Sequence, residues 1–170
     1  MSTVQSETAA PSHPFTAALA RRDLDALAAS LAPDAVLHSA VTGALFEGRD
    51  VLLDVYASLF ESFEELRVTD QFSNADTHVF FWEGRIEGRP VEGADRLRID
   101  AAGKVCDITI VGRPLSGLAG FISALGYHFA RRRRGPLVAR VLRVASLPLG
   151  ALFASLDGVT RWLIRGKHGG

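Results

Sequence analysis

The sequence predicts an α+β fold, in which helices pack on one face of a curved antiparallel sheet and a helical extension follows at the C-terminus. Hydrophobic residues recur every three to four positions up to residue 64 and every second position from residue 66 onward. Short alternating segments joined by turn residues are typical of an antiparallel meander. Helices on one face of such a sheet leave a pocket between the two layers.

Two helices are predicted before the meander. The first covers residues 15–31, where apolar side chains follow helical spacing, and Pro33 ends it. A short strand over 35–41 comes next. The second helix covers 51–64, and Asp50 is its predicted N-cap because an aspartate can accept a hydrogen bond from the first helical amides.

Four strands follow the second helix. Turn-forming residues such as Asn74, Pro90 and Gly103 separate them. The predicted strands cover residues 66–72, 77–87, 91–100 and 104–111.

Composition predicts one domain with an appendage. The chain has 170 residues and is 48% hydrophobic, which is enough for one sizeable core. Cys106 is the only cysteine, so no internal disulfide can form, and we expect neither a metal nor a cofactor. Residues 1–14 read as a disordered leader without the apolar core of a secretory signal, so we expect a cytoplasmic protein.

Charge divides the chain at Pro114. Residues 1–113 hold 10 basic and 18 acidic residues, whereas residues 114–170 hold nine basic residues and only Asp157 as an acid. The basic part is predicted to form two or three amphipathic helices with a kink at Pro148. Its apolar stretches are too short for ordinary transmembrane helices.

A basic, amphipathic tail is expected to lie against an anionic surface. That surface is either the acidic domain of the same chain, a partner protein, or the inner leaflet of a membrane in peripheral contact. The arginines predicted to make this contact are Arg131, Arg132, Arg133, Arg134, Arg140 and Arg143.

Four sequence motifs resemble the nuclear transport factor 2-like superfamily, in its SnoaL-like and ketosteroid-isomerase-like branches. The motifs begin at Phe15, Leu31, Phe46 and Asp95, in the order typical of the family, and the likeness covers residues 15–113. The resemblance implies a cone of helices over a curved sheet with a deep pocket. The tail, residues 114–170, lies outside it.

The resemblance also implies positions for catalytic groups. In the ketosteroid-isomerase pattern, a tyrosine on the first helix and a protonated aspartic acid on a late strand form an oxyanion hole, while an aspartate on the first strand moves the proton. Here those positions are Phe15, Asp95 and Ser39. Only Asp95 matches, so proton abstraction by that route is not expected to transfer.

Asp95 is a catalytic candidate on the residue pattern as well. It alternates with Leu97 on an apolar strand face, where lost hydration favours the neutral acid. The alternative is a structural carboxylate bonded to a backbone amide or to a hydroxyl such as that of Tyr56. His38 and Ser39 face opposite sides of the first strand; the spacing puts Ser39 inside, and a slip of one residue would instead supply His38 as a base.

These patterns predict a ligand pocket lined by Phe15, Ser39, Tyr56, Leu97, Ile108 and Ile110. The expected partner is a small, mostly apolar molecule that the domain binds, or transforms by isomerase, cyclase or dehydratase chemistry; the residues leave both alternatives open. A second hypothesis is a non-catalytic assembly or adaptor module. It would form a homodimer through the outer sheet face, using aromatic residues such as Phe80 or Trp82. Nucleic acid is not expected because the domain's net charge is negative.

Overall fold

The computed structural model describes residues 13–43, 45–145 and 155. Most of the predicted leader and the Pro148 kink lie outside the described residues. The elements in chain order are α1 Pro14–Arg21, α2 Leu24–Ser30, β1 Leu31–His38, β2 Leu45–Glu47, α3 Arg49–Ser62, β3 Glu65–Asn74, β4 Thr77–Ile86, β5 Arg89–Ile99, β6 Val105–Arg113 and α4 Leu115–Arg134. A further helix, α5, covers residues 136–145.

The six strands form one sheet in the order β2-β1-β6-β5-β4-β3. Strands β3 to β6 make the predicted antiparallel meander. Strand β1 pairs in parallel with β6, so the sheet is mixed, and this pairing follows a long crossover through α3 and the meander. Register shifts in β1, β3 and β5 act as bulges that bend the sheet over its helices. The predicted α+β class is confirmed.

The first predicted helix is divided into α1 and α2. Arg22 adopts a left-handed conformation with φ of 54°, and Asp23 starts α2 by accepting a hydrogen bond from the Ala26 amide at 2.9 Å. The predicted N-cap of α3 is wrong: Gly48 occupies that position, with φ of 90°, and Asp50 lies in the first turn. Asp50 there still complements the positive end of the helix dipole.

The hydrophobic core lies between the helices and the inner sheet face. Fully buried side chains come from every layer, including Phe15, Leu52, Phe80 and Ile108. Helix α4 belongs to the same core, to which it contributes Leu118, Phe121 and Ala124. No helix among the described residues is long and apolar enough to cross a bilayer.

Register decides which aromatic residues reach the outer sheet face. Phe80 and Trp82, the residues predicted for a dimer interface, point into the core with 0% and 7% exposure, so that assignment is wrong. Phe81 stands between them on the opposite face because successive strand residues alternate. Phe81, Phe72 and Val111 form the exposed apolar patch instead.

Candidate ligand site

An apolar cavity of about 140 Å³ lies between α3, α4 and the end of β1. Its only hydroxyl-bearing lining side chains are those of Ser39, Thr42 and Tyr56, among the described residues. The remaining wall is mostly aliphatic or aromatic, with large contributions from Leu37, Leu59, Ile110, Phe121, Ile122 and Phe129. Such a space favours an apolar ligand with few polar groups.

The predicted pocket residues fall into two groups. Ser39, Tyr56 and Ile110 line the cavity. Phe15, Leu97 and Ile108 are fully buried in the adjoining core and are not among its lining residues. The Phe15 ring packs edge-on against the Tyr56 ring at 5.5 Å between centroids, so it supports the wall from behind.

His38 is turned away from this wall. Its Nε2 lies 2.8 Å from Oδ2 of Asp107, and 43% of its side chain is exposed. Ser39, the next residue, lines the cavity. The strand therefore has the register that the hydrophobic spacing favours, with the histidine bound to a carboxylate on β6.

Asp95 is buried on β5, directly opposite the cavity residue Ile110 of β6, and is not itself among the residues that line the cavity. Its Oδ1 accepts a hydrogen bond of 2.8 Å from the indole Nε1 of Trp82. Burial raises the pKa of Asp95 to about 7, although the Trp82 hydrogen bond acts in the opposite direction. Near neutral pH, Asp95 is therefore a carboxylic acid in a substantial fraction of molecules.

Tyr56 lines the cavity and carries a buried hydroxyl group. Its side chain is 1% exposed, and the hydroxyl has no hydrogen-bond partner among the described residues. Burial, and then the charge of Asp95, raise the pKa of Tyr56 well above its usual value. Tyr56 thus remains a neutral phenol with an O–H to donate.

Trp82 is the functional neighbour that the sequence analysis missed. Its indole lies over Gly93 on β5, where a Cβ atom would come within 2.5 Å of the ring. Glycine at this position therefore lets the indole reach Asp95. The signal was available: a hairpin centred on Glu87 and Gly88 pairs Trp82 with Gly93.

Comparison with known proteins agrees with this architecture. The family described as SnoaL-like domain matches residues 13–108. The chain belongs to the SnoaL-like family. No curated protein matches it.

Several solved structures resemble this SnoaL-like protein. A steroid delta-isomerase from Pseudomonas aeruginosa is 30% identical with a TM-score of 0.61, and the match covers 73% of this chain and 89% of the isomerase. A bacterial protein with a cystatin-like fold from Silicibacter pomeroyi is 20% identical with a TM-score of 0.63, covering 67% and 84%. A nuclear transport factor 2-like protein from Mesorhizobium loti is 18% identical with a TM-score of 0.54, covering 59% and 85%. The last two support the fold alone.

Helix α4 completes the cavity of this SnoaL-like protein, although its sequence lies beyond the matched region. Its contribution to the wall includes Phe121, Ile122 and Phe129. Phe129 packs edge-on against Phe46 at 5.7 Å. The start of the basic tail is thus part of the candidate site.

Ion pairs fasten α4 to α3. The Glu61 carboxylate pairs with Arg131 at 2.9 Å, with His128 at 2.6 Å and with Arg132. Arg133 lies 2.8 Å from Asp54. Partial burial raises the pKa of Glu61, but the hydrogen bond and charge of Arg132 and the charges of His128 and Arg131 outweigh it, so the net pKa is lowered.

The six tail arginines therefore differ. Arg131, Arg132 and Arg133 pair with acids of the same chain, and Arg143 lies 3.5 Å from Glu87. Arg134 and Arg140 have no ion pair among the described residues. Part of the predicted anionic surface is thus the protein's own α3.

A second buried titratable group lies near the start of α1. His78 is 1% exposed, and its Nδ1 is 2.6 Å from the Ser73 hydroxyl. The His13 ring lies 5.1 Å away. Burial, together with the charge of His13, lowers the pKa of His78 to about 4. Across the described residues, no group of three or more His, Cys, Asp or Glu is arranged to hold a metal.

A larger groove of about 580 Å³ runs over the outer parts of β3, β4 and β5. Charged side chains such as Arg67 and Glu83 line it, and these two pair with each other. A groove lined by charged side chains fits a small-molecule site less well than the mostly apolar cavity does.

Proposed function

We propose that this SnoaL-like protein binds a small, mostly apolar molecule that carries one hydrogen-bond-accepting oxygen. The observation that carries the proposal is the buried hydroxyl of the cavity-lining residue Tyr56, which lacks a partner in the described structure. A buried polar group without a partner costs about 1–3 kcal/mol. A ligand oxygen that accepts this hydrogen bond would recover that cost.

Cavity size limits the ligand class. A volume of about 140 Å³ is close to that of an engineered apolar cavity, about 150 Å³, that holds benzene. The proposed ligand is therefore a single-ring compound or one of similar volume. A four-ring steroid is larger than this cavity, so the activity named for the Pseudomonas aeruginosa relative is not proposed here.

Asp95 extends the proposal to proton chemistry. A carboxyl group with a pKa of about 7 can both give and accept a proton near neutral pH. Its ionised form would take the proton from the carbon beside the ligand carbonyl and return it to carbon in the product, while the Tyr56 hydroxyl donates a hydrogen bond to the enolate oxygen that isomerase and cyclase reactions develop. Ser39 and Thr42 lack basicity, so Asp95 is the proposed proton carrier.

Binding is tested with a matched pair of ligands, cyclohexenone and methylcyclohexene. We expect cyclohexenone to raise the unfolding temperature more strongly, because a ligand selective for the folded state stabilises it. Tyr56→Phe should reduce cyclohexenone affinity about fivefold and leave methylcyclohexene unchanged, the ratio expected for one hydrogen bond. Tyr127→Phe, at the chain's other tyrosine, is the matched control. Equal affinities for both ligands would show that the Tyr56 hydroxyl gives the ligand oxygen no hydrogen bond, and would contradict the proposal.

Proton transfer is tested by deuterium uptake. Cyclohexenone in D₂O should exchange its enolisable hydrogens faster with the wild-type protein than with Asp95→Asn, since the amide cannot carry a proton. Binding to the variant should persist. Equal exchange rates would leave the protein as a binder and assign Asp95 to structure.

The adaptor hypothesis keeps one supporting observation. Phe72 and Phe81 are 58% and 44% exposed, and their rings contact edge-on at 6.4 Å beside the exposed Val111. We propose that this patch forms a homodimer interface. Sedimentation analysis at micromolar concentration should show a dimer that Phe81→Glu dissociates; a wild-type monomer would contradict it.

A further inference from the structure

Helix α5 presents its apolar side chains to solvent. Val138 and Leu142 are 43% and 48% exposed, and Leu137, Val141 and Val144 are 67% to 76% exposed. Exposed apolar patches of this kind on a folded protein usually mark a contact surface.

The helical geometry shows that these residues share one face. At about 100° per residue, the five side chains and Ala145 fall within an arc of roughly 160°. Ala139, which lies outside that arc, is fully buried against the rest of the protein. Helix α5 is thus amphipathic, and its apolar arc faces away from the protein body.

Cations border this arc, and acids are absent from the segment. Arg140 flanks the arc beside Val144, Arg143 lies on the opposite side of the helix, and Arg134 precedes the helix by two residues. No aspartate or glutamate occurs from residue 114 to residue 156. Arg143 also lies 5.3 Å over the Tyr127 ring of α4, which fixes α5 to the body of the protein.

We propose that α5 docks in the plane of a membrane surface that contains anionic lipid. Its apolar arc would enter the boundary between headgroups and acyl chains, while Arg134 and Arg140 would contact lipid phosphates. The described part of α5, residues 136–145, is shorter than a bilayer span. The combination of an outward apolar arc and cations unopposed by acids fits an anionic lipid surface better than a protein partner, whose interface core is depleted of charge.

The test is flotation of the full chain with vesicles of phosphatidylcholine and phosphatidylglycerol, compared with phosphatidylcholine alone. We expect binding to the anionic vesicles that weakens as salt rises. Leu137→Asp and Val141→Asp should each reduce binding more than tenfold. Leu115→Asp, at another exposed leucine, on α4, is the matched control and should bind as the wild type does.

The charge contribution is tested by replacing Arg134 and Arg140 together with glutamine. Each cation near an anionic surface changes the affinity about fivefold, so the loss of both should lower the vesicle affinity more than tenfold. Arg21→Gln, at an exposed arginine on α1, should have no effect. Circular dichroism must show unchanged helix content in every variant.

Three results would overturn the proposal. The first is no vesicle binding by the wild-type chain. The second is undiminished binding by Leu137→Asp and Val141→Asp. The third is a large fall in the unfolding temperature of these two variants, which would show that the protein's own residues cover the arc.

Discussion

Asp95 and His78 both point into the core from the same sheet, and burial shifts the pKa of each in the direction of its neutral form. Their surroundings differ. His78 is held at Nδ1 by the Ser73 hydroxyl and packs near the His13 ring, while its Nε2 has no partner among the described residues. Asp95 has one indole partner and lies near Tyr56, which lines the cavity and whose hydroxyl also lacks a protein partner. A shifted pKa and an unpaired polar atom therefore mark burial in both places, and only the unfilled space beside Tyr56 marks a candidate site.

The largest expected effect is at Asp95. The pKa of Asp95 is about 7 in the folded protein, against an ordinary value of 3.8. The stability that the neutral carboxyl group contributes is therefore fully present below pH 3.8 and is lost as the pH rises through the folded pKa. The full loss is about 4 kcal/mol. Asp95→Asn cannot ionise, so its stability relative to the wild type should increase by that amount between about pH 4 and pH 8. Urea unfolding across this range checks the prediction, and a pH-independent difference would refute it.

His78 should show the opposite dependence. Its folded pKa of about 4 lies below the ordinary 6.5, so the unfolded chain takes up the proton first and stability is lost as pH falls from 6.5 towards 4. The free energy of unfolding of His78→Gln should rise by about 2 kcal/mol relative to that of the wild type as the pH falls over that interval. Cyclohexenone affinity should not change, in contrast to the Asp95 site. A loss of affinity would place His78 in the ligand site.

Tyr56→Phe should stabilise the unliganded protein by about 1 kcal/mol, because it removes a buried hydroxyl that has no partner in the described structure. The same change should weaken cyclohexenone binding. Thermal unfolding with and without the ketone measures both effects. Destabilisation in the absence of ligand would show that the hydroxyl is structurally bonded.

Glu61→Gln should destabilise the protein by about 1 kcal/mol, since the site is a partly exposed network rather than a single surface pair. The lowered pKa of Glu61 means that its contribution is present above the ordinary value of 4.5 and is lost as pH falls through the folded value. Looser α4 packing should also weaken cyclohexenone binding. Glu65→Gln, at an exposed carboxylate, is the control for urea unfolding. Equal stability of both variants would mean that the pairs do not hold α4.

The sequence could predict the four-stranded meander and the apolar surroundings of Asp95, because alternation and turn residues are local signals. It could not show that β1 runs parallel to β6, since that pairing depends on a crossover between distant segments. It also missed α4 as a cavity wall: Phe121 and Phe129 look the same whether a helix packs on its own domain or elsewhere. The prediction that Trp82 lies on the outer sheet face is wrong. Trp82 pairs with Gly93 across β4 and β5, and its indole lies beside Asp95.

The most direct test of the ligand-site account is a carbon-detected NMR titration of the Asp95 carboxyl and the His78 imidazole in one sample, with and without cyclohexenone. We predict a pKa of about 7 for Asp95 and about 4 for His78 in the free protein. Since bound cyclohexenone would exclude water from the space near Asp95 and so favour the neutral carboxyl group, it should raise the pKa of Asp95 further and leave that of His78 unchanged. An Asp95 pKa near 4, or one that cyclohexenone does not move, would contradict the account.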